Sequence, residues 1–279
     1  MSDAGAKTAS NGHAATGHDP GARPRVLVAE KIAQSGIDLL ARHFDVVVGT
    51  DWDADTLRER IGEFDGIVIR SGTRLDSDLI ARATRLRVIG RAGIGVDNVD
   101  VEAATRRGII VCNAPQSNVI AAAEHTVALM LAVARRIPQA HASLVGGRWE
   151  RSRFSGSELY EKTLGILGFG RIGRLVAARA RAFGMRVVAY DPYVSNERFR
   201  ELGAERAGRP EDVYRQADFV SLHLPRTPET EGMVGTEAFA QMRDGAYLVN
   251  CARGELVDLD ALCAALDSGK LAGAALDVF

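Results

Sequence analysis

The sequence carries almost no net charge and contains no long apolar run. Its 35 basic and 36 acidic residues give a formal net charge of −1, so neither sign is in the excess that would favour nucleic acid or an anionic membrane as a partner. No apolar run approaches the roughly 20 residues of a membrane-spanning helix, and the N-terminus lacks the apolar core of a signal peptide. We therefore expect a soluble, cytoplasmic protein.

Cysteine is also scarce. Cys112, Cys251 and Cys263 are odd in number and widely separated, which favours neither a disulfide framework nor a thiolate metal site. We expect reduced thiols in the core. His13 and His18 have no cysteine or carboxylate cluster beside them, so they indicate a polar tail rather than a metal site. No metal ion is predicted.

The first 24 residues are rich in alanine, glycine, serine and threonine and have no apolar period. Such a segment cannot bury enough surface to fold, so residues 1–24 are predicted to be a disordered tail. A chain of 279 residues exceeds a typical single domain, which favours two lobes. Pro115 precedes a long apolar stretch, 118–135, that is predicted to be a helix, and we place the lobes at 25–115 and 116–279.

Short apolar runs alternate with amphipathic segments after the tail. This alternation is typical of parallel sheets with helices on their faces. The strands predicted in the first lobe are 26–28, 46–48, 67–69, 86–89 and 109–112. The strands predicted in the second lobe are 164–167, 185–190, 218–222, 246–250 and 273–277. The fold class is therefore α/β, with two Rossmann-like or flavodoxin-like lobes, the second of them doubly wound.

Three spaced glycines follow the first strand of the second lobe, in Gly168-x-Gly170-x-x-Gly173. This spacing suits a tight turn in which the backbone approaches a pyrophosphate and the next helix begins with its N-terminus facing the anion. A glycine motif alone is weak support, and a plain strand-to-helix turn is the alternative. The apolar run before it and the amphipathic helix after it favour a dinucleotide site.

Asp191 ends the next predicted strand, eighteen residues beyond Gly173. An acidic side chain at this place can accept hydrogen bonds from the ribose hydroxyls of NAD, and it would repel the additional phosphate of NADP. The predicted cofactor is therefore NAD.

Two loops of the first lobe place arginines and glycines at predicted strand ends. Arg70 opens one loop, and Arg91 with Gly93 opens the other. Because ligands gather at the carboxyl ends of parallel strands, these loops suit a small anion. Taken singly, either arginine is equally compatible with a solvated surface position. Arg253 lies at a strand end of the second lobe, where a reacting group is expected.

A basic and aromatic segment, 146–154, separates the predicted helix from the second sheet. Nucleic-acid binding requires many phosphate contacts, which one small cluster in a neutral chain does not provide. Trp149 and Phe154 instead favour packing against a partner subunit. We expect a homo-oligomer, either a dimer or a tetramer.

The sequence from about Arg25 to Phe279 resembles the D-isomer-specific 2-hydroxyacid dehydrogenases, and within them the branch acting on 3-phosphoglycerate. The motifs that carry the resemblance are 90–100, GRAGIGVDNVD; 164–173, LGILGFGRIG; 250–254, NCARG; and 274–279, AALDVF. The resemblance implies a substrate-binding first lobe and an NAD-binding second lobe. It also implies NAD-dependent oxidation of 3-phospho-D-glycerate to 3-phosphohydroxypyruvate in serine biosynthesis.

The resemblance implies a role for each matching residue. Arg253 is the catalytic arginine that binds the substrate carboxylate and polarises the carbonyl, a task suited to its planar fork. Arg70, Arg91 and Gly93 help to hold the substrate. The residues implied in cofactor binding are Gly168, Gly170, Arg171, Ile172, Gly173, Asp191, Leu224, Cys251, Ala252 and Asp277. Isoleucine at position 94 replaces a threonine found in some relatives, which leaves only backbone contact there.

In this family a histidine oriented by a glutamate takes the hydroxyl proton, and both follow the strand that ends at Asp277. The chain ends at Phe279, so we expect a truncated sequence that binds NAD without efficient turnover. Loss of a general base typically costs about 10²- to 10⁴-fold in rate. His223 is the best placed of the remaining histidines, although the sequence predicts nothing that would orient it as a replacement.

Two alternatives stay open. In the first, the chemistry is the same but the substrate is glyoxylate, hydroxypyruvate or another 2-keto acid, since Arg253 alone would be enough to bind a singly charged anion. In the second, the protein is a non-catalytic NAD(H)-responsive binding protein, which is consistent with the missing acid–base pair.

Overall fold

The computed structural model describes residues 22–279. They form two compact units that divide between Ser117 and Asn118. Among these residues no helix is both long and apolar enough to cross a membrane.

Most of the predicted tail, residues 1–21 with His13 and His18, lies outside the described residues. Its last residues belong to the first unit. The carbonyl of Pro24 accepts a hydrogen bond from the N–H of Asp45 at 3.0 Å, which extends the backbone pairing of the two strands that follow.

The first unit is built around a parallel sheet with the strand order β2-β1-β3-β4-β5. Its elements are β1 Arg25–Val28, α1 Gln34–Ala41, β2 Asp45–Val48, α2 Ala54–Arg60, β3 Gly66–Ile69, α3 Ser77–Arg82, β4 Val88–Arg91, α4 Val101–Arg106 and β5 Ile110–Asn113. Aspartates that accept a backbone N–H of the first turn begin the three helices α2, α3 and α4, as expected for N-cap residues.

One face of this sheet forms the core of the unit. Leu27, Ile67 and Ile89 are almost fully buried against apolar side chains of α2, α3 and α4. The opposite face leaves Val48 and Ile110 exposed. Successive residues of a strand point to opposite faces, so the sheet is buried on one side and partly open on the other.

Two predictions for this unit are wrong. Strand β4 begins at Val88 rather than Leu86, and Arg91 is its last residue, paired with Asn113 of β5. Leu86 is buried without belonging to the strand, so apolar character alone misplaced the boundary. Cys112 is exposed rather than in the core, because it shares the partly open face with Ile110.

The second unit contains a parallel sheet with the strand order β11-β10-β9-β6-β7-β8. Its elements are α5 Val119–Ala134, α6 Ile137–Val145, β6 Thr163–Leu167, α7 Arg171–Ala182, β7 Arg186–Tyr190, α8 Asn196–Glu201, β8 Glu205–Arg206, α9 Pro210–Gln216, β9 Phe219–Leu222, α10 Thr236–Gln241, β10 Ala246–Asn250, α11 Leu259–Asp267 and β11 Leu271–Leu276. The chain leaves β6 towards one edge and returns at β9 to build the other, which confirms the doubly wound prediction.

Helices cover both faces of the second sheet. Helices α5 and α7 lie on one face, where Phe169 and Phe199 stack with ring centroids 4.7 Å apart. Helices α9, α10 and α11 lie on the other. Cys263 lies on the solvent side of α11 and is exposed, so the expected core position is wrong for this cysteine too. Cys251 is partly buried.

Helix α6 was not predicted from the sequence. It begins after Arg136, whose φ of 52° places it in the left-handed region, and Pro138 occupies its first turn. The segment 146–154 includes a short 3₁₀ helix at Arg151–Phe154.

Candidate functional site

The glycine turn lies between β6 and α7, where the strand order of the second sheet reverses. Such reversals leave a crevice at the carboxyl ends of the strands. Gly168 has a φ of +92°, and a Cβ atom there would lie 2.6 Å from the carbonyl oxygen of His223. A Cβ on Gly173 would overlap the carbonyl of Gly168. Both positions therefore require glycine for steric reasons.

Gly170 differs from the other two glycines because a Cβ there would meet nothing within 4 Å. It precedes Arg171, the first residue of α7. The open space thus lies at the N-terminus of a twelve-residue helix, where backbone N–H groups and the helix dipole favour an anion. A dinucleotide pyrophosphate fits this turn, since no side chain blocks its approach.

Asp191 follows β7 directly and holds the turn in place. Its Oδ2 accepts the N–H of Phe169 at 2.9 Å, and its Oδ1 accepts the N–H of Tyr193 at 2.9 Å. A carboxylate has about four acceptor sites, so capacity remains for ribose hydroxyls. The Asp191 carboxylate is therefore positioned by the same backbone that forms the glycine turn.

His223 and Leu224 follow β9 on the other side of the reversal. The imidazole Nε2 of His223 lies 2.9 Å from the Ser221 hydroxyl. Burial lowers the pKa of His223 to about 4, so the ring is neutral at pH 7. A general base works best with a pKa near the operating pH, and His223 does not meet that condition.

Arg253 lies in a turn after β10 that Asn250 supports. The fully buried Asn250 side chain donates from Nδ2 to the carbonyl of Arg253 at 2.8 Å and accepts the N–H of Ala252 at 3.0 Å through Oδ1. The guanidinium Nη1 of Arg253 donates to the Ala252 carbonyl at 2.6 Å. Arg253 is the catalytic arginine that the resemblance predicts, whereas the supporting contacts of Asn250 were not predicted from the sequence.

Helix α5 contributes two side chains to the ends of β10 and β11. Burial raises the pKa of the Cys251 thiol, and a hydrogen bond with Thr126 acts in the opposite direction. The Nε2 of His125 lies 3.2 Å from Oδ1 of Asp277, and both side chains are about half exposed. The structure therefore brings Cys251 and Asp277 beside α5, a grouping that the sequence did not predict.

In the first unit, the predicted anion-binding residues lie at the carboxyl ends of β3 and β4. Arg70 is exposed, and its Nη1 donates to the carbonyl of Lys31 at 3.5 Å. Arg91 folds back over Gly93, where any Cβ would overlap the guanidinium. Gly93 is buried, so its missing side chain makes room for Arg91.

The described residues, 22–279, contain no cluster of three histidine, cysteine or acidic side chains able to hold a metal ion. Within the second unit, the turn at Gly168–Gly173, Asp191 and Leu224 lie around one strand reversal. Cys251, Ala252, Arg253 and Asp277 follow the adjoining strands β10 and β11. All of these residues lie at the carboxyl-terminal ends of the strands, on the same side of the sheet.

Residues 127–279 match the sequence model of the D-isomer-specific 2-hydroxyacid dehydrogenase NAD-binding domain. A D-3-phosphoglycerate dehydrogenase of Methanocaldococcus jannaschii is 49% identical over 255 residues, which cover 91% of this chain and 49% of that protein. The chain thus spans about half the length of this curated relative.

Solved structures agree with this relationship. A protein of Thermus thermophilus is 40% identical, with a TM-score of 0.83 over 91% of this chain and 81% of its own. The D-lactate dehydrogenase of Aquifex aeolicus, solved with NAD and lactic acid, is 30% identical, with a TM-score of 0.80 over 91% of this chain and 77% of its own. The chain belongs to the D-isomer-specific 2-hydroxyacid dehydrogenase family.

Proposed function

We propose that the protein containing this chain is an NAD-dependent dehydrogenase that oxidises 3-phospho-D-glycerate to 3-phosphohydroxypyruvate, the first step of L-serine biosynthesis. The observation that carries this proposal is the 49% identity, over 91% of the chain, to a relative named for that activity. The open glycine turn and the arginines at strand ends support it independently.

In this proposal the second unit holds the cofactor. The turn at Gly168–Gly173, with the backbone of Arg171 and Ile172, takes the pyrophosphate, since Gly170 leaves that approach open. Asp191 accepts hydrogen bonds from the adenine ribose and disfavours the additional phosphate of NADP. Leu224, Cys251 and Ala252 contact the cofactor, and Asp277 contacts the nicotinamide.

Bound NAD⁺ supplies the acceptor for the hydride that leaves C2 of the substrate. Arg253 binds the substrate carboxylate through its planar fork and stabilises the negative charge on the oxygen at C2. Asn250 keeps the Arg253 backbone in place for this task. The hydroxyl proton requires a base other than His223, whose pKa of about 4 makes it a weak one at pH 7.

The first unit is proposed to be the substrate-binding lobe. Arg70 and Arg91 contribute positive charge at the carboxyl ends of β3 and β4. Several arginines favour a substrate with two anionic groups, such as a phosphorylated hydroxy acid. The alternative is a small monoanionic acid, which the 30% identity to a D-lactate dehydrogenase favours.

The proposed partner is a second copy of the chain, in the cytoplasm. Trp149 is 80% exposed, and Ile137, Leu144 and Val145 of α6 are also exposed. An apolar group of this kind on one helix and its following loop is typical of a subunit interface.

The experiment compares kcat/KM of the full-length protein for reduction of 3-phosphohydroxypyruvate, glyoxylate and pyruvate with NADH. The proposal predicts that the phosphorylated substrate is preferred by a factor of at least about 100, because its phosphate adds charge-assisted hydrogen bonds. A preference for pyruvate or glyoxylate would refute the proposed substrate. NADH binding without reduction of any of the three would instead favour a non-catalytic NAD(H)-responsive protein.

A further inference from the structure

Backbone N–H groups of the Arg70 loop, residues 70–73, donate hydrogen bonds to a carboxylate of the protein itself. Oε1 of Glu30 accepts the N–H of Arg70 at 2.8 Å and that of Thr73 at 2.8 Å, and Oε2 accepts the N–H of Gly72 at 3.1 Å. Three convergent N–H groups form an anion-binding concavity. In this protein Glu30 fills that concavity.

The position of Glu30 follows from the strand order. Glu30 lies just beyond the end of β1, and the Arg70 loop follows β3, which is the neighbour of β1 in the sheet. The strand order of the sheet reverses between these two strands, and in open α/β sheets a ligand-binding crevice forms at such a reversal. A side chain of the protein thus occupies the N–H groups at the crevice of the first unit.

Gly72 allows this close approach. A Cβ at position 72 would lie 3.2 Å from Oε2 of Glu30 and 3.6 Å from its Cδ, which is too tight without movement of the carboxylate. Partial burial pushes the pKa of Glu30 upward, but the hydrogen bonds from Thr73, Arg70 and Gly72 together outweigh it and the pKa is lowered. Glu30 is therefore an anion at neutral pH.

Asn98 holds the same loop from its carbonyl side. Its Nδ2 donates to the carbonyl of Arg70 at 2.7 Å and to that of Thr73 at 2.6 Å. The backbone carbonyl of Asn98 also accepts the N–H of Leu75 at 2.8 Å. Because Asn98 ends the loop that starts after Arg91, the two arginine-bearing loops form one hydrogen-bonded assembly.

These contacts restrict how a substrate anion can bind the Arg70 loop. The N–H groups of Arg70, Gly72 and Thr73 are taken, and a second carboxylate or phosphate in their place would meet the charge of Glu30. The exposed guanidinium of Arg70 is still accessible. Its direction depends on a backbone fixed by Glu30 on one side and Asn98 on the other.

We infer that Glu30 and Asn98 are positioning residues for substrate binding, which fix the Arg70 loop so that its guanidinium, and not its backbone, receives the anionic group. This inference rests on the proposed function for the nature of the substrate. Glu30 acts as an internal anion that prevents bare phosphate or carboxylate from occupying the loop backbone.

The test uses the full-length protein with E30Q, which removes the charge and turns one acceptor oxygen into a donor. E30D keeps the charge on a shorter side chain. E63Q is the matched control, because Glu63 is a carboxylate of the same unit with a lowered pKa that bonds Arg25 and Arg60 instead of the loop. KM, kcat, the NADH dissociation constant and backbone hydrogen exchange are measured for each variant.

E30Q is expected to raise KM for 3-phosphohydroxypyruvate about tenfold, the effect of losing roughly one charge-assisted hydrogen bond, while kcat and NADH binding stay unchanged. The N–H groups of residues 70, 72 and 73 should exchange faster. E30D should give an intermediate KM, and E63Q a KM equal to that of the original protein.

Faster exchange in E30Q with an unchanged KM would overturn the inference, since the loop would then be loosened without effect on substrate. An equal rise of KM in E63Q would also overturn it, because any lost carboxylate would suffice. If the original protein prefers a different 2-keto acid, the proposed substrate fails. The KM comparison is then made with that acid and decides the positioning role separately.

Discussion

Replacing Gly170 by alanine separates cofactor binding from folding. Gly170 is the N-cap of α7 in an extended conformation, with φ −73° and ψ −157°, which alanine also adopts. The added methyl group would meet no atom within 4 Å. It would project into the open space at the helix N-terminus, where the pyrophosphate is proposed to bind.

The two expected effects differ in size. Alanine loses less backbone entropy than glycine on folding, by about 0.4–1 kcal/mol, but it is a poorer N-cap by a similar amount. The free energy of unfolding should therefore change by less than about 1 kcal/mol. Crowding of a close contact costs about 1–3 kcal/mol, so the dissociation constant of NADH should rise about 5- to 150-fold.

Gly168→Ala should behave differently. Its φ of +92° and the contact with the His223 carbonyl oxygen add backbone strain to steric overlap, for a loss of stability of about 2–5 kcal/mol.

The assay combines urea denaturation with an NADH fluorescence titration of the same samples. Gly235→Ala is the matched control, because Gly235 is also an extended N-cap glycine, at α10, and its Cβ would make only ordinary contacts at 3.5 Å or more. Gly170→Ala and Gly235→Ala should both unfold like the original protein, and only Gly170→Ala should lose affinity for NADH. Unchanged NADH affinity in a folded Gly170→Ala variant would refute the proposed pyrophosphate site.

Three further outcomes are expected. Because the pKa of His223 is lowered to about 4 in the folded protein, the unfolded chain gains a proton below pH 6.5 and the folded protein gains it only near pH 4. The contribution of His223 to the free energy of unfolding is therefore complete above pH 6.5 and falls by about 3 kcal/mol as the pH is lowered towards 4. Urea midpoints measured across that range should lose this slope in His223→Asn, and an unaltered slope would contradict the assignment. Asp191→Ala should weaken NADH binding and reduce the preference for NADH over NADPH. A preference equal to that of the original protein would argue against the ribose contact. Trp149→Ser should shift the sedimentation coefficient towards that of the monomer, whereas an unaffected oligomer would place the interface elsewhere.

The sequence predicted four strands of each sheet to within one residue at either end. Buried parallel strands read as short apolar runs, and β10 was predicted with its observed bounds, Ala246–Asn250. The glycine spacing was informative because Gly168 and Gly173 each meet a steric requirement that no other residue satisfies. Strand β4 was displaced by two residues because Leu86 is buried outside the strand.

The missed features depend on contacts between distant parts of the chain. Glu30 reaches a loop that begins 40 residues later, and this contact exists only because β1 and β3 are neighbours in the sheet. His125 approaches Asp277 across 152 residues. No local pattern marks either pair. Asn250 offered a weak signal, since an asparagine at a strand end often bonds the backbone of the following turn.

We propose that the glycine turn of the second unit holds the NAD pyrophosphate, and a crystal structure with NAD⁺ bound would show whether it does. We expect the pyrophosphate at the open side of Gly170, beside the N-terminus of α7, and the adenine ribose within hydrogen-bond distance of Asp191. A dinucleotide bound elsewhere, with the turn ordered and empty, would contradict it.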